Sequence, residues 1–247
     1  MYIMYFTSEE RVDGFGSQFQ TLLHMIYYAA ANNAEYIHIP IKTIEHNYSD
    51  DPLYVKSLEQ FMCVRLFKHI DEIDPSISII RHISNEECRN YFQQSVDTAM
   101  SHISLSLYKS AFWSNITNNH YNANTFNIAL HIRRGDVQST NSNRERYTSN
   151  EFYLETMKYL SETYADKDIQ FHIYSEGAIQ EFDCFQSENT VLHLNEDVKT
   201  TFIGLIASQV LVQSKSSFSY VAGLLSNGTV YHIPFWHTPA SSWILLS

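Results

Sequence analysis

Phe126-Asn-Ile-Ala-Leu-His-Ile132, followed at once by Arg133-Arg-Gly-Asp136, is the segment from which the fold can be read. A short, largely apolar run rich in β-branched and aromatic residues predicts a buried strand. The polar turn after it sits where open α/β sheets hold their ligands, beyond the carboxyl ends of the strands. Two adjacent arginines there suit phosphate, because the guanidinium fork pairs with two oxygens at once and keeps its charge. Gly135 allows close backbone approach, and Asp136 can orient an arginine. The same residues also fit a plain surface turn with one salt bridge.

Outward from this point the alternation of strand and helix continues. Thr148–Tyr164 reads as a helix, Ile169–Tyr174 as a strand ending at Ser175-Glu-Gly177, and Val191–Leu194 as a third strand. Asp197–Ser208 is a helix, Val210–Val212 a strand, and Ser214–Ser219 a polar turn into a helix over Tyr220–Leu225. Thr229–Pro234 completes roughly five strands after residue 125. Toward the N-terminus, Met1–Phe6 reads as a strand and Asp13-Gly-Phe-Gly-Ser17 as a turn. Phe19, Leu22, Leu23, Ile26, Tyr27 and Ala30 form one helical stripe, and Tyr36–Pro40 is the next strand. Residues 41–110 are mostly helical in pattern, with breaks at Asp51-Pro52 and Asp74-Pro75 and a strand pattern over Ile77–Ile80. Asn115–Asn127 holds six asparagines in thirteen residues and reads as a linker. The expected division is therefore residues 1–122 and 123–247, two α/β halves.

Composition narrows the function. The 247 residues carry 16 Lys and Arg against 27 Asp and Glu, a net charge of −11, which disfavours nucleic acid and anionic membranes as partners. A bound phosphate must therefore rely on a few placed groups. Cys63, Cys88 and Cys184 are widely spaced with no CxxC, which argues against a disulfide framework or zinc site. No apolar run is long enough to span a membrane. None of the twelve histidines falls in a helical HxxxH or HExxH pair. The one Asp-x-Asp, Asp166-Lys-Asp168, precedes a strand and reads as a solvated turn, so no metal is expected. Two further segments suit an anion or a close backbone contact. Ser216, Ser217, Phe218 and Ser219 gather hydroxyls and free amides at a helix N-terminus; Gly14, Phe15 and Gly16 stand at the first strand-to-helix turn. The latter is a poor dinucleotide fingerprint, since Phe19 replaces the third glycine.

Taken in order, Gly14-Phe-Gly-Ser-Gln18, His131-Ile-Arg-Arg-Gly-Asp136 and Ser216-Ser-Phe-Ser219 resemble the α-1,2/α-1,6-fucosyltransferase superfamily. Phe171–Glu176 is similar to its strand ending in Ser-Asp, with Glu176 for the acid; Ser17 stands where the family has Asn. The resemblance implies a GT-B-like α/β fold, two Rossmann-like halves facing a cleft with the N-terminal half reduced. It implies a GDP-sugar donor held mainly by the C-terminal half, no metal or other cofactor, and inverting transfer of fucose to a glycan. Arg133 and Arg134 would contact the donor diphosphate, His131 would support the nucleotide site, and the late serines would reach phosphate. Gly14, Phe15, Gly16, Asp136, Ser175 and Glu176 complete the expected donor site. Asp13, Glu35 and Glu9 are candidates for the general base. Another GDP- or UDP-sugar donor, or a non-catalytic nucleotide- or glycan-binding module, are the alternatives. Lack of an anchor and the asparagine content point to a cytoplasmic enzyme of microbial or viral type.

Overall fold

A computed structural model describes residues 3–45, 47, 51–74, 76, 78–116, 120–140 and 142–246. The chain divides into two compact units, Met1–Ile116 and Thr117–Ser247. Part of the asparagine-rich run, Thr117 to Asn119, lies outside the described residues, as do Met1 and Tyr2 of the first expected strand, Pro75 and Ile77.

The first unit contains β1 (Ile3–Ser8), α1 (Phe15–Ala31), β2 (Glu35–His38), α2 (Pro52–Phe61), β3 (Lys68–His69), β4 (Ser78–Ile83), α3 (Asn85–Gln93), α4 (Val96–Ser101) and α5 (Ile103–Ser114). Its four strands are parallel in the order β3-β2-β1-β4. α1 is buried along most of its length; Met25 and Ala29 pack on Phe6 and Ile83 of the sheet, with Cys88 of α3. Phe19, at zero exposure, meets Phe15, Tyr108 and Phe112 edge-on. The glycine turn is shorter than the sequence suggests. Gly14 is the N-cap and α1 starts at Phe15, so Gly16 lies in its first turn. Burial of Phe15 draws the helix start forward, which the loop-forming glycines concealed.

The second unit contains β5 (Phe126–His131), α6 (Asn150–Thr163), β6 (Ile169–Ser175), β7 (Thr190–Leu194), α7 (Val198–Ala207), β8 (Val210–Val212), α8 (Ser217–Leu225), β9 (Thr229–His232) and β10 (Ile244–Leu245). All six strands are parallel, in the order β10-β9-β8-β5-β6-β7. The five strands expected after residue 125 become six because a two-residue strand pairs at the edge. β5 is central, with Leu130 opposite Ile173 on one side and Val212 on the other. The chain winds one way through β6 and β7, then crosses back to β8 and winds the other way. This doubly wound order places a topological switch point between the carboxyl ends of β5 and β8. Strand alternation then sorts the residues: Ile128, Leu130 and Ile132 pack with Tyr153, Met157 and Leu160 of α6, while Asn127, Ala129 and His131 take the opposite face.

Candidate active site

The switch point carries the arginine turn and the late serines singled out from the sequence, but the two arginines part company there. Arg133 follows His131 in register; its Nη1 donates to Ser216 Oγ at 3.4 Å and its Nη2 to Asp136 Oδ2 at 2.8 Å. Its Nε is buried without a hydrogen-bond partner. Arg134 follows Ile132 inward and is only 6% exposed. Its Nη1 donates to the Arg133 carbonyl at 2.8 Å, its Nη2 to Asn150 Oδ1 at the start of α6, and its guanidinium lies 4.4 Å from the centre of the Tyr147 ring. Arg134 therefore fastens the turn from beneath, while Arg133 reaches the start of α8.

Helix α8 begins at Ser217, three residues before the Tyr220 start read from the sequence. Ser216 is its N-cap, with the hydroxyl accepting from Phe218 N at 3.2 Å. The segment expected to be a polar turn is thus cap and first helical turn. Ser219 is fully buried: its hydroxyl receives Ser214 N at 3.1 Å and lies within reach of the Ser214 and Ser216 carbonyls. Ser217 Oγ meets His237 Nε2 at 3.1 Å. The Phe218 ring packs against His131 and Phe202. An α-helix start beside a guanidinium is favourable for an anion.

His131 is buried, with Nδ1 2.8 Å from Ser214 Oγ. Burial first, then the Arg133 charge, push its pKa down to about 3, so it is neutral at any ordinary working pH. Ser175 donates from Oγ to the Ile132 carbonyl at 2.7 Å and ties β6 to the end of β5. Gly135 has φ +72°, and a side-chain carbon there would meet Glu176 Oε2 at 2.5 Å. Gly135→Ala should destabilise the second unit by about 1–3 kcal/mol, read as a lowered urea midpoint at unchanged slope; an unaltered midpoint would refute the strain.

Gly14, Phe15 and Gly16 belong to the first unit, as do the three candidate bases. Asp13 is ion-paired with Arg11. Glu35 pairs with Lys68 at 3.1 Å. Glu9 borders a cavity of about 50 Å³ that Gln18, His38 and Lys42 also line. Asp166 and Asp168 are exposed and precede β6. Among the described residues, no group of three or more His, Cys, Asp or Glu side chains could hold a metal ion. Nor is any helix among them long and apolar enough to cross a membrane. The sequence reading missed Asn150 and Tyr147 as partners of Arg134. The signal was the alternation itself, since apolar Ile132 fixes the core-facing parity on which Arg134 falls.

No family model matches the sequence, and no curated protein matches it. Solved structures do. E. coli heptosyltransferase WaaC with ADP is 8% identical, over 98% of this chain and 92% of that one, at a TM-score of 0.51. WaaC with ADP-2-deoxy-2-fluoro heptose is 11% identical, over 99% and 93%, at 0.50. The NodZ alpha-1,6-fucosyltransferase soaked with GDP-fucose is 10% identical, over 92% and 93%, at 0.43. The likeness to WaaC establishes the fold: two parallel α/β units of the GT-B type, the first with four strands and the second with six.

Proposed function

We propose that the protein is a glycosyltransferase that takes a sugar from a nucleoside diphosphate, with GDP-fucose as the first donor to test, and passes it to a glycan hydroxyl. The reading rests above all on Arg133: a half-buried guanidinium at the switch point, touching the cap of α8, with one N–H unclaimed by the protein. The GT-B fold supports it, and WaaC carries an ADP-linked sugar in its own structure.

In the transfer, the acceptor oxygen bonds to the anomeric carbon from the face opposite the leaving group. The bond from that carbon to the diphosphate breaks, and its electron pair leaves with the diphosphate. The acceptor proton passes to a base. Preorganised cations and amides lower the barrier by meeting the charge as it develops on the leaving oxygens. Arg133 and the start of α8 fill that role without a metal. Arg134 holds the Arg133 carbonyl in place, so it positions the catalytic group and does not touch the donor.

The decisive assay is GDP release from GDP-fucose with a glycan acceptor in the presence of EDTA. Undiminished turnover is expected; abolition by EDTA would overturn the metal-free route. Melting in the presence of GDP, ADP and UDP ranks the bases, because a ligand held only by the folded state raises the melting temperature. A shift with GDP but no transfer to any acceptor would mark a binding module.

A further inference from the structure

A second polar cluster lies on the face of the second unit's sheet opposite α6, apart from the arginine turn. It joins His172 and Tyr174 of β6, His193 of β7, Glu196 just before α7, and His120 and Tyr121 of the segment that leads into β5. Proton positions in it follow from the hydrogen bonds. Asn127 Nδ2 donates to the carbonyls of Asn122 and Thr125 at 3.2 and 3.0 Å, so its Oδ1 is the atom facing His172 Nε2 at 3.0 Å. His172 Nε2 must then carry a hydrogen. His172 Nδ1 lies 3.0 Å from His193 Nε2, and His193 Nδ1 lies 2.8 Å from Glu196 Oε1. A carboxylate only accepts, so His193 Nδ1 must carry a hydrogen as well. One further hydrogen is needed between the two rings. The pair therefore holds three hydrogens on four nitrogens, one more than two neutral imidazoles carry.

Burial first, and then His193 and His120, push His172 down to about 4, while Glu196 stands against His193. The rings on either side are ordered by the same logic. Tyr121 donates to the Gly204 carbonyl at 2.7 Å, so between Tyr174 and Tyr121, 2.8 Å apart, Tyr174 is the donor. His120 Nε2, 2.9 Å from Tyr174 Oη, must then donate to it. His193 stacks on Tyr174 with centroids 4.3 Å apart and planes 11° from parallel, and Tyr121 covers His172 at 4.3 Å.

We propose that His172 and His193 form a proton-operated clasp that fastens the His120–Tyr121 segment to the sheet of the second unit, closed by the one shared proton and opened by a second. A second proton would put hydrogens on both nitrogens facing each other at 3.0 Å. One ring must then turn, and the Tyr121 and Tyr174 contacts go with it. The titratable groups facing the pair are Glu196 from the loop before α7, Tyr174 from β6, and His120 and Tyr121 from the incoming segment; α7 itself contributes the Gly204 carbonyl. The direction is fixed. A base whose folded pKa lies near 4, below an unfolded value of about 6.5, contributes stability that is complete above about 6.5 and is lost as the pH falls toward 4.

The test is imidazole nitrogen NMR on the full ¹⁵N-labelled chain, with tyrosine rings followed by ¹³C. Above the His172 midpoint the four nitrogens should carry three hydrogens between them, with His172 Nδ1 the bare one. On acidification the Tyr121 and Tyr174 ring signals should move together with His172, at a midpoint near pH 4. In His193→Gln, which keeps a donor but takes up no proton, the tyrosine signals should no longer follow His172. Only two hydrogens on the four nitrogens above that midpoint would overturn the proposal. So would tyrosine rings that stay still while His172 gains its second proton, and the native chain alone decides both points.

Discussion

Arg133→Ala should lower the rate of donor cleavage by about 10²–10³-fold, the usual effect of removing a group that stabilises developing charge in a catalytic site. Stability should hardly change. The side chain is 23% exposed and its ion pair with Asp136 is at the surface, where such pairs contribute at most about 1 kcal/mol. Arg133→Lys should recover only part of the loss, since a single ammonium cannot engage Ser216 and a second oxygen in one plane. The measurement is GDP release from GDP-fucose, paired with thermal melting of the same preparations. A variant that folds normally and turns over at the native rate would remove Arg133 from the mechanism.

The sequence makes this position visible for a definite reason. An apolar strand leading into two arginines and a glycine has few placements in a parallel sheet, and the second unit's alternation of strand and helix leaves β5 central. The start of α8 was less legible. Ser216, Ser217 and Ser219 read as a turn by propensity, yet Ser216 caps the helix while Ser219, fully buried, satisfies the backbone of the turn before it. Propensity yields to packing at a buried helix end. β3 and β10 are two residues each, too short to leave any period in the sequence; pairing with a neighbour alone defines them. The clasp residues were hidden for another reason. His120 and Tyr121 lie in a run whose asparagines suggest a linker, and their partners stand more than fifty positions away.

Arg134→Ala should behave as the mirror image of Arg133→Ala, costing stability first and activity second. The side chain is buried, and its removal takes away charge-assisted hydrogen bonds to the Arg133 carbonyl and to Asn150. It also takes away a guanidinium lying over Tyr147. Losing buried bonds to a charged group, together with the partners they leave unpaired, costs about 2–4 kcal/mol. In a chain of this size that corresponds to a fall in melting temperature of very roughly 5–15 °C. Urea unfolding monitored on the second unit reads the loss directly, and a change below about 1 kcal/mol would mean that Arg134 does not fasten the turn. Activity should fall too, because the Arg133 carbonyl loses its anchor, but Arg134→Lys, which can still reach one of the two oxygens, should restore stability and turnover together. If instead Arg134→Ala folded normally and lost turnover as completely as Arg133→Ala, both guanidiniums would have to reach the donor, and the parity of Ile132 would not govern the residue two places on.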